Sequence, residues 1–77
     1  MNRLPVISGR TLVKVWEQRG FEFVRQKSIH IVMPRIEPPH LTVSVPDHKE
    51  LRPSTLRGIL RDIELTVEEL NEILREL

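Results

Sequence analysis

Along this chain apolar residues recur at helical spacing in three stretches and alternate with their neighbours in three more, so the two periods divide it into six elements. The first helical stretch opens at Ser8, a good N-cap, and puts Leu12, Val15 and Trp16 on one side against Arg10, Lys14, Glu17 and Gln18 on the other. Gly20 supplies the C-cap, and Trp16 is expected in the core. From Phe21 the period becomes two: Phe21 and Phe23 alternate with Glu22 and Val24, which predicts a strand with one face on the core. The polar stretch Arg25-Gln26-Lys27 follows it. Residues 28–33 form a β-branched run that predicts a second strand, with Ile29, Ile31 and Met33 inward and Ser28, His30 and Val32 outward. Pro34 breaks that strand, and Pro38-Pro39 rules out ladder pairing through the next loop. Residues 40–45 predict a third strand ending at Pro46, with Leu41, Val43 and Val45 on one face and Thr42 and Ser44 on the other.

Pro53 sits where a first helical residue belongs, ahead of Leu56, Ile59, Leu60 and Ile63 at i, i+3, i+4 and i+7. Thr66-Val67-Glu68-Glu69 is a capping box, with Leu65 and Leu70 placed as a hydrophobic staple and Leu70, Ile73, Leu74 and Leu77 as the following stripe. So short and acidic a helix gains little from propensity alone, so it must dock on the core or on a partner. The order helix, three-strand antiparallel meander, helix, short helix predicts an α+β two-layer sandwich with one sheet face covered and the other open.

At 77 residues, 39% hydrophobic and 4% aromatic, the chain has room for one core, so a single domain is expected over residues 1–77, its core at about 4–63 and a terminal helix at about 66–77. Zero cysteines exclude disulfides and thiolate zinc sites. Residues 1–5 lead into no apolar signal region, and no run reaches the roughly 18 apolar residues of a membrane span, so a cytoplasmic protein with no membrane association is expected. The net charge of +1 conceals a division. Residues 1–35 hold seven Lys or Arg against two acids, a net +5, whereas residues 62–77 hold one against six, a net −5. That is either an anion-binding end opposite an acidic one or a set of ordinary solvated faces.

Without a cysteine nucleophile or a Gly-rich phosphate loop, and with three histidines that share no tight ligand spacing, neither covalent chemistry nor a metal or cofactor site is indicated. Histidine remains. Imidazole takes and gives a proton near neutral pH, its ordinary pKa being about 6.5. His30 stands near a strand start on the polar face, just after Arg25 and Lys27, where cations would hold a phosphodiester while the imidazole removed a proton from a ribose 2′-OH. The alternative is a solvated surface histidine.

Four stretches in order resemble one family: residues 4–9 (Leu-Pro-Val-Ile-Ser-Gly), residues 20–27 leading to His30, residues 45–51 (Val-Pro-Asp-His-Lys-Glu-Leu) and residues 55–61 (Thr-Leu-Arg-Gly-Ile-Leu-Arg). The family is that of the HicA toxins of HicA–HicB toxin–antitoxin pairs, and the resemblance runs from Leu4 to about Leu70. It implies a double-stranded-RNA-binding-domain-like fold of helix, three strands and helix, an mRNA interferase acting on RNA without metal or cofactor, and inhibition by a HicB-type antitoxin. It also implies a catalytic histidine in a Gly-Ser-His motif at the second strand, which falls on His30. Here Ser28 stands where the family usually has Gly, Ile29 where it has Ser, and Ser54 where it often has Gly. Arg25, Lys27, Ser28, His48 and Lys49 are the candidate RNA-binding residues, with His48 either touching RNA or capping its loop. Lys49, Arg52, Arg57 and Arg61 either extend a phosphate track or form the solvated side of a helix. A non-catalytic RNA-binding module and a protein-interaction module on the same fold are the alternatives.

Overall fold

A computed structural model describes residues 3–77. Its elements, in chain order, are α1 (Gly9–Gln18), β1 (Arg25–Lys27), β2 (His30–Pro34), β3 (Thr42–Pro46), α2 (Pro53–Asp62) and α3 (Val67–Glu76). At the start of α1 the Ser8 hydroxyl accepts the Thr11 N–H at 3.0 Å. At its end Gly20 takes a φ of +88°, the Gly20 N–H reaches the Glu17 carbonyl and the Phe21 N–H reaches the Trp16 carbonyl at 3.1 Å. This closure satisfies otherwise orphaned carbonyls and places Phe21 against Trp16, their rings 6.2 Å apart. Pro53 opens α2, and the two-way hydrogen bonding of Thr66 with Glu69 caps α3.

The strands pair antiparallel in the order β1-β2-β3. Ile31, Met33, Val43 and Val45 are buried on one face, beneath α1 and α2, and join Trp16, Leu12, Leu56 and Leu60 in one apolar cluster. α3 docks on α1, burying Leu70 and partly covering Ile73 and Leu74, while Asn71 donates to the Arg3 carbonyl at 3.1 Å. The expected α+β two-layer architecture with one open sheet face is therefore the one observed. No described helix is long and apolar enough to cross a membrane.

Several expectations about the strands need correction. Phe23 is not in the core but 42% exposed, the stretch read as a polar connection, Arg25–Lys27, is β1 itself, and Ile29 belongs to no strand, while Pro34 is the last paired residue of β2, opposite Thr42, where β3 begins two residues later than expected. A single extra residue explains the first two. Phe21 bridges Arg35 whereas Arg25 pairs with Val32, so four steps along the first segment match three along the second. Such a bulge reverses which face the following side chains take. Phe21 thus faces the core while Arg25 and Lys27, which unbroken alternation would put on the same side as Phe21, face away from it. Ile29 is 43% exposed because it lies in the two-residue β1–β2 turn, and β2 begins only at His30.

Charges separated along the chain are also partly reunited. Acidic α3 lies beside basic α1, and Arg19 helps the stronger hydrogen bonds from Thr66 to hold the Glu69 carboxyl below the ordinary carboxylate range.

Candidate nucleic-acid interface

Residues directly opposite in an antiparallel pair share a face, their Cβ atoms about 4.5–5.5 Å apart. Lys27 is opposite His30, which is opposite Pro46, and Arg25 is opposite Val32, which is opposite Ser44. The bulged strand therefore delivers Arg25 and Lys27 to the same uncovered face as His30. No acidic residue is among the described positions of that face. Arg25, Lys27 and His30 are all exposed, and none of their side chains makes a hydrogen bond or ion pair among the described residues. Their donors are free for a ligand.

The carbonyls of the two turn residues are held from beyond the turn, one by β1 and one by the loop after β3. Ser28 has a φ of 57°, in the left-handed region that favours glycine, whereas Ile29 is not in that region. The Ile29 carbonyl accepts the Asp47 N–H at 2.6 Å and the Ser28 carbonyl accepts Gln26 Nε2 at 3.1 Å. Asp47 is itself gripped by Arg10, whose Nε and Nη2 reach its two carboxylate oxygens at 3.1 and 2.9 Å. Gln26 bridges the pair, accepting from Arg10 Nη2 and donating to Asp47 Oδ2, each at 3.0 Å. Hydrogen bonds from Arg10 first, then from Gln26, hold the Asp47 carboxyl below its ordinary pKa, and Asp47 in turn raises Arg10. Sequence reasoning missed Arg10, Gln26 and Asp47. They lie 16 to 37 residues apart along the chain, and nothing in a one-dimensional pattern joins them.

The loop after β3 is fixed to α1 as well. The Gly9 N–H donates to the His48 carbonyl at 2.9 Å, and a Cβ at Gly9 would overlap the Pro46 carbonyl, so the helix start needs glycine there. His48 and Lys49 are exposed beside this anchor, at the end of the sheet where His30 begins β2. The N-cap of α2 is Arg52, without a side-chain hydrogen bond. His40 is elsewhere, preceding Thr42, which pairs with Pro34 at the far end of β2.

Also at that far end is a groove of about 690 Å³, lined by Glu17, Glu22, Glu37, Arg19, Arg35 and Phe21 among others. Its three glutamates make it a poor seat for a polyanion, so the His30 end, although no cavity, is the better interface. Among the described residues no group of three or more His, Asp or Glu side chains is arranged to hold a metal ion.

A family model, HicA toxin of bacterial toxin-antitoxin, matches residues 9–65. The chain belongs to the HicA toxin family. No curated protein and no solved structure gives a significant match. The matched stretch contains α1, the whole sheet and α2, and hence every candidate residue of the interface. As a HicA toxin the chain has the toxin's role in a toxin–antitoxin system, in a family of ribonuclease toxins. The positive φ at Ser28 means that the turn before His30 holds a residue in the left-handed region, where glycine is the least strained choice.

Proposed function

We propose that this HicA toxin is an endoribonuclease that cleaves mRNA by transesterification, with His30 as the proton-transferring group. The observation that carries the reading is the register that sets Arg25, Lys27 and His30 together on an uncovered face free of described acidic positions. His30 acts as general base or acid. As base, its imidazole takes the ribose 2′-OH proton, the 2′ oxygen attacks phosphorus, and the bond to the departing 5′ oxygen breaks, leaving a 2′,3′-cyclic phosphate and a 5′-hydroxyl once that oxygen gains a proton. Lys27 and Arg25 neutralise charge on the phosphodiester, and Lys49, His48 and the Ser28 hydroxyl contact the backbone or ribose of the RNA. Taking the 2′-OH proton and neutralising phosphate charge are within reach of these residue types, and the departing 5′ oxygen takes its proton from solvent. A HicB-type antitoxin is the partner, and covering the His30 face would silence the toxin.

The test is incubation of purified protein with a transcribed mRNA in EDTA, beside a His30→Ala variant. Cleavage by the parent alone is the expected result. Equal cleavage by both removes His30 from the mechanism. Salt-sensitive binding without cleavage leaves an RNA-binding module on the same fold, and neither activity leaves a protein-interaction module.

A further inference from the structure

We infer that Arg10, Gln26 and Asp47 form a positioning clamp for His30, an inference that rests on the reading of His30 as the proton-transferring residue. Gln26 is the one β1 side chain the register turns toward the helix layer, yet it lies exposed at the rim, where an apolar residue would gain nothing and a polar one can reach two other segments. It meets Arg10 from the first turn of α1 and Asp47 from the loop after β3. Through the Asp47 N–H and Gln26 Nε2, this cluster holds both carbonyls of the two-residue turn that ends at His30. The same loop carries His48, whose carbonyl receives the Gly9 N–H.

Stability alone does not explain the arrangement. The ion pair is partly in solvent, the Arg10 side chain being 58% and the Asp47 side chain 26% exposed, and pairs open to water contribute modestly to folding. The turn, however, has a serine in a left-handed conformation, so its own residues favour other shapes. Restraint must come from groups beyond the two turn residues, here Gln26 on β1 and Asp47 on the loop after β3. The clamp supplies it at the two peptide groups preceding His30, and thereby sets where the imidazole stands relative to Lys27 across the strand pair and to the His48 loop. None of the three residues needs to touch RNA; they act through His30.

The experiment compares the parent, Asp47→Ala, Asp47→Asn, Gln26→Ala and His30→Ala in full-length protein. Cleavage of a transcribed mRNA is followed at saturating and at limiting RNA, with thermal unfolding and the NMR imidazole and hairpin amide signals of each variant. Because small misplacements of a reacting group cost up to about a hundredfold in rate, Asp47→Ala should lower the saturated rate by roughly ten- to a hundredfold. Its KM should change by less than about threefold, and the His30 signals should broaden or shift while the core signals stay. Asp47→Asn keeps an oxygen acceptor for Arg10 and Gln26, so it should recover part of the rate, and Gln26→Ala should follow Asp47→Ala in direction. If His30→Ala is silent but Asp47→Ala keeps the parent's saturated rate, the clamp inference fails and the function stands. A rate loss matched by loss of folded protein, with His30 signals unchanged in what remains folded, also overturns the clamp. If His30→Ala cleaves like the parent, it is the reading of His30 that falls, and the clamp as its positioner with it.

Discussion

His30 and Ile31 are adjacent in β2 and face opposite sides of the sheet. Ile31 is buried among Met33, Val43, Val45 and the helices, where close packing makes every methylene count. His30 stands in solvent between Lys27 and Pro46, on the face it shares with Arg25 and Ser44, with no packing role. The pleat thus puts two kinds of selection one residue apart: shape on the covered face, charge and proton chemistry on the open one. In so small a protein the core cannot be moved away from the site. Alternation isolates them instead, and the β1 bulge extends the separation by turning Arg25 and Lys27 outward although Phe21 turns inward.

The sharpest way to break this comparison is to substitute the two neighbours separately. His30→Ala should lower RNA cleavage by about 10²- to 10⁴-fold, the usual worth of positioned acid–base catalysis, and leave the unfolding midpoint nearly unmoved. Ile31→Ala should do the converse, losing about 2–5 kcal/mol of stability through lost burial and a residual cavity, with a near-parental rate per folded molecule. Urea unfolding and single-turnover cleavage on the same preparations decide it. A large stability loss in His30→Ala would mean that the open face also supports the fold.

What could be read from sequence divides along similar lines. The helices and their ends were legible because their signals are local: Ser8 before a periodic run, Gly20 after it, Pro53 at a first turn and Thr66 three residues ahead of Glu69. The covered faces of β2 and β3 were legible too, since Ile31, Met33, Val43 and Val45 keep strict alternation. Phe23 misled because a bulge leaves no mark in a short alternating run, and its position depends on a partner strand that sequence periodicity does not see. Ile29 misled because its β-branched side chain suits a strand, whereas a two-residue turn claims it. His30, Arg25 and Lys27 were named from order and resemblance, but their common face depends on the bulge. The Arg10, Gln26 and Asp47 cluster depends on tertiary approach alone.

If the open face holds RNA through its phosphates, charge removal should show in the salt dependence before it shows in the fold. Lys27→Gln and Arg25→Gln should each weaken binding and reduce the slope of log K against log salt by about 0.7 to 0.9 for every phosphate left without its cation, with unfolding midpoints close to the parent's. Filter binding of a labelled transcript over a salt series measures it; an unchanged slope in both variants would detach these cations from the interface. A smaller effect is expected where the two faces meet. Ser28→Gly removes the Cβ from a residue at φ 57°, and relief of that strain should offset glycine's larger entropy in the unfolded chain, for a net gain of at most about 1 kcal/mol. Destabilisation by the glycine would show that the serine's own contacts matter more than its backbone geometry.

The weakest expected effect comes from acid, and it tests whether the rim between the faces is electrostatically fastened. Asp47 is held below its ordinary pKa by hydrogen bonds from Arg10 and Gln26, so the folded state releases its proton more readily than the unfolded chain does. With a lowered folded pKa, the unfolded state binds more protons through this range. The stabilisation is therefore fully present above the ordinary Asp value of about 3.9 and is lost as pH falls through the lower folded value. Glu69, lowered by its Thr66 capping bonds, titrates with the same sign, so a parent-only pH series mixes the two. Subtracting the series for Asp47→Asn, in which Glu69 is untouched, isolates the clamp. The difference in unfolding midpoint between parent and variant should be small, constant near neutrality, and shrink in acid. Because the pair is partly exposed, added salt should shrink it as well. A difference independent of both pH and salt would mean that the Asp47 backbone bond to Ile29, rather than its charge, secures the turn that presents His30.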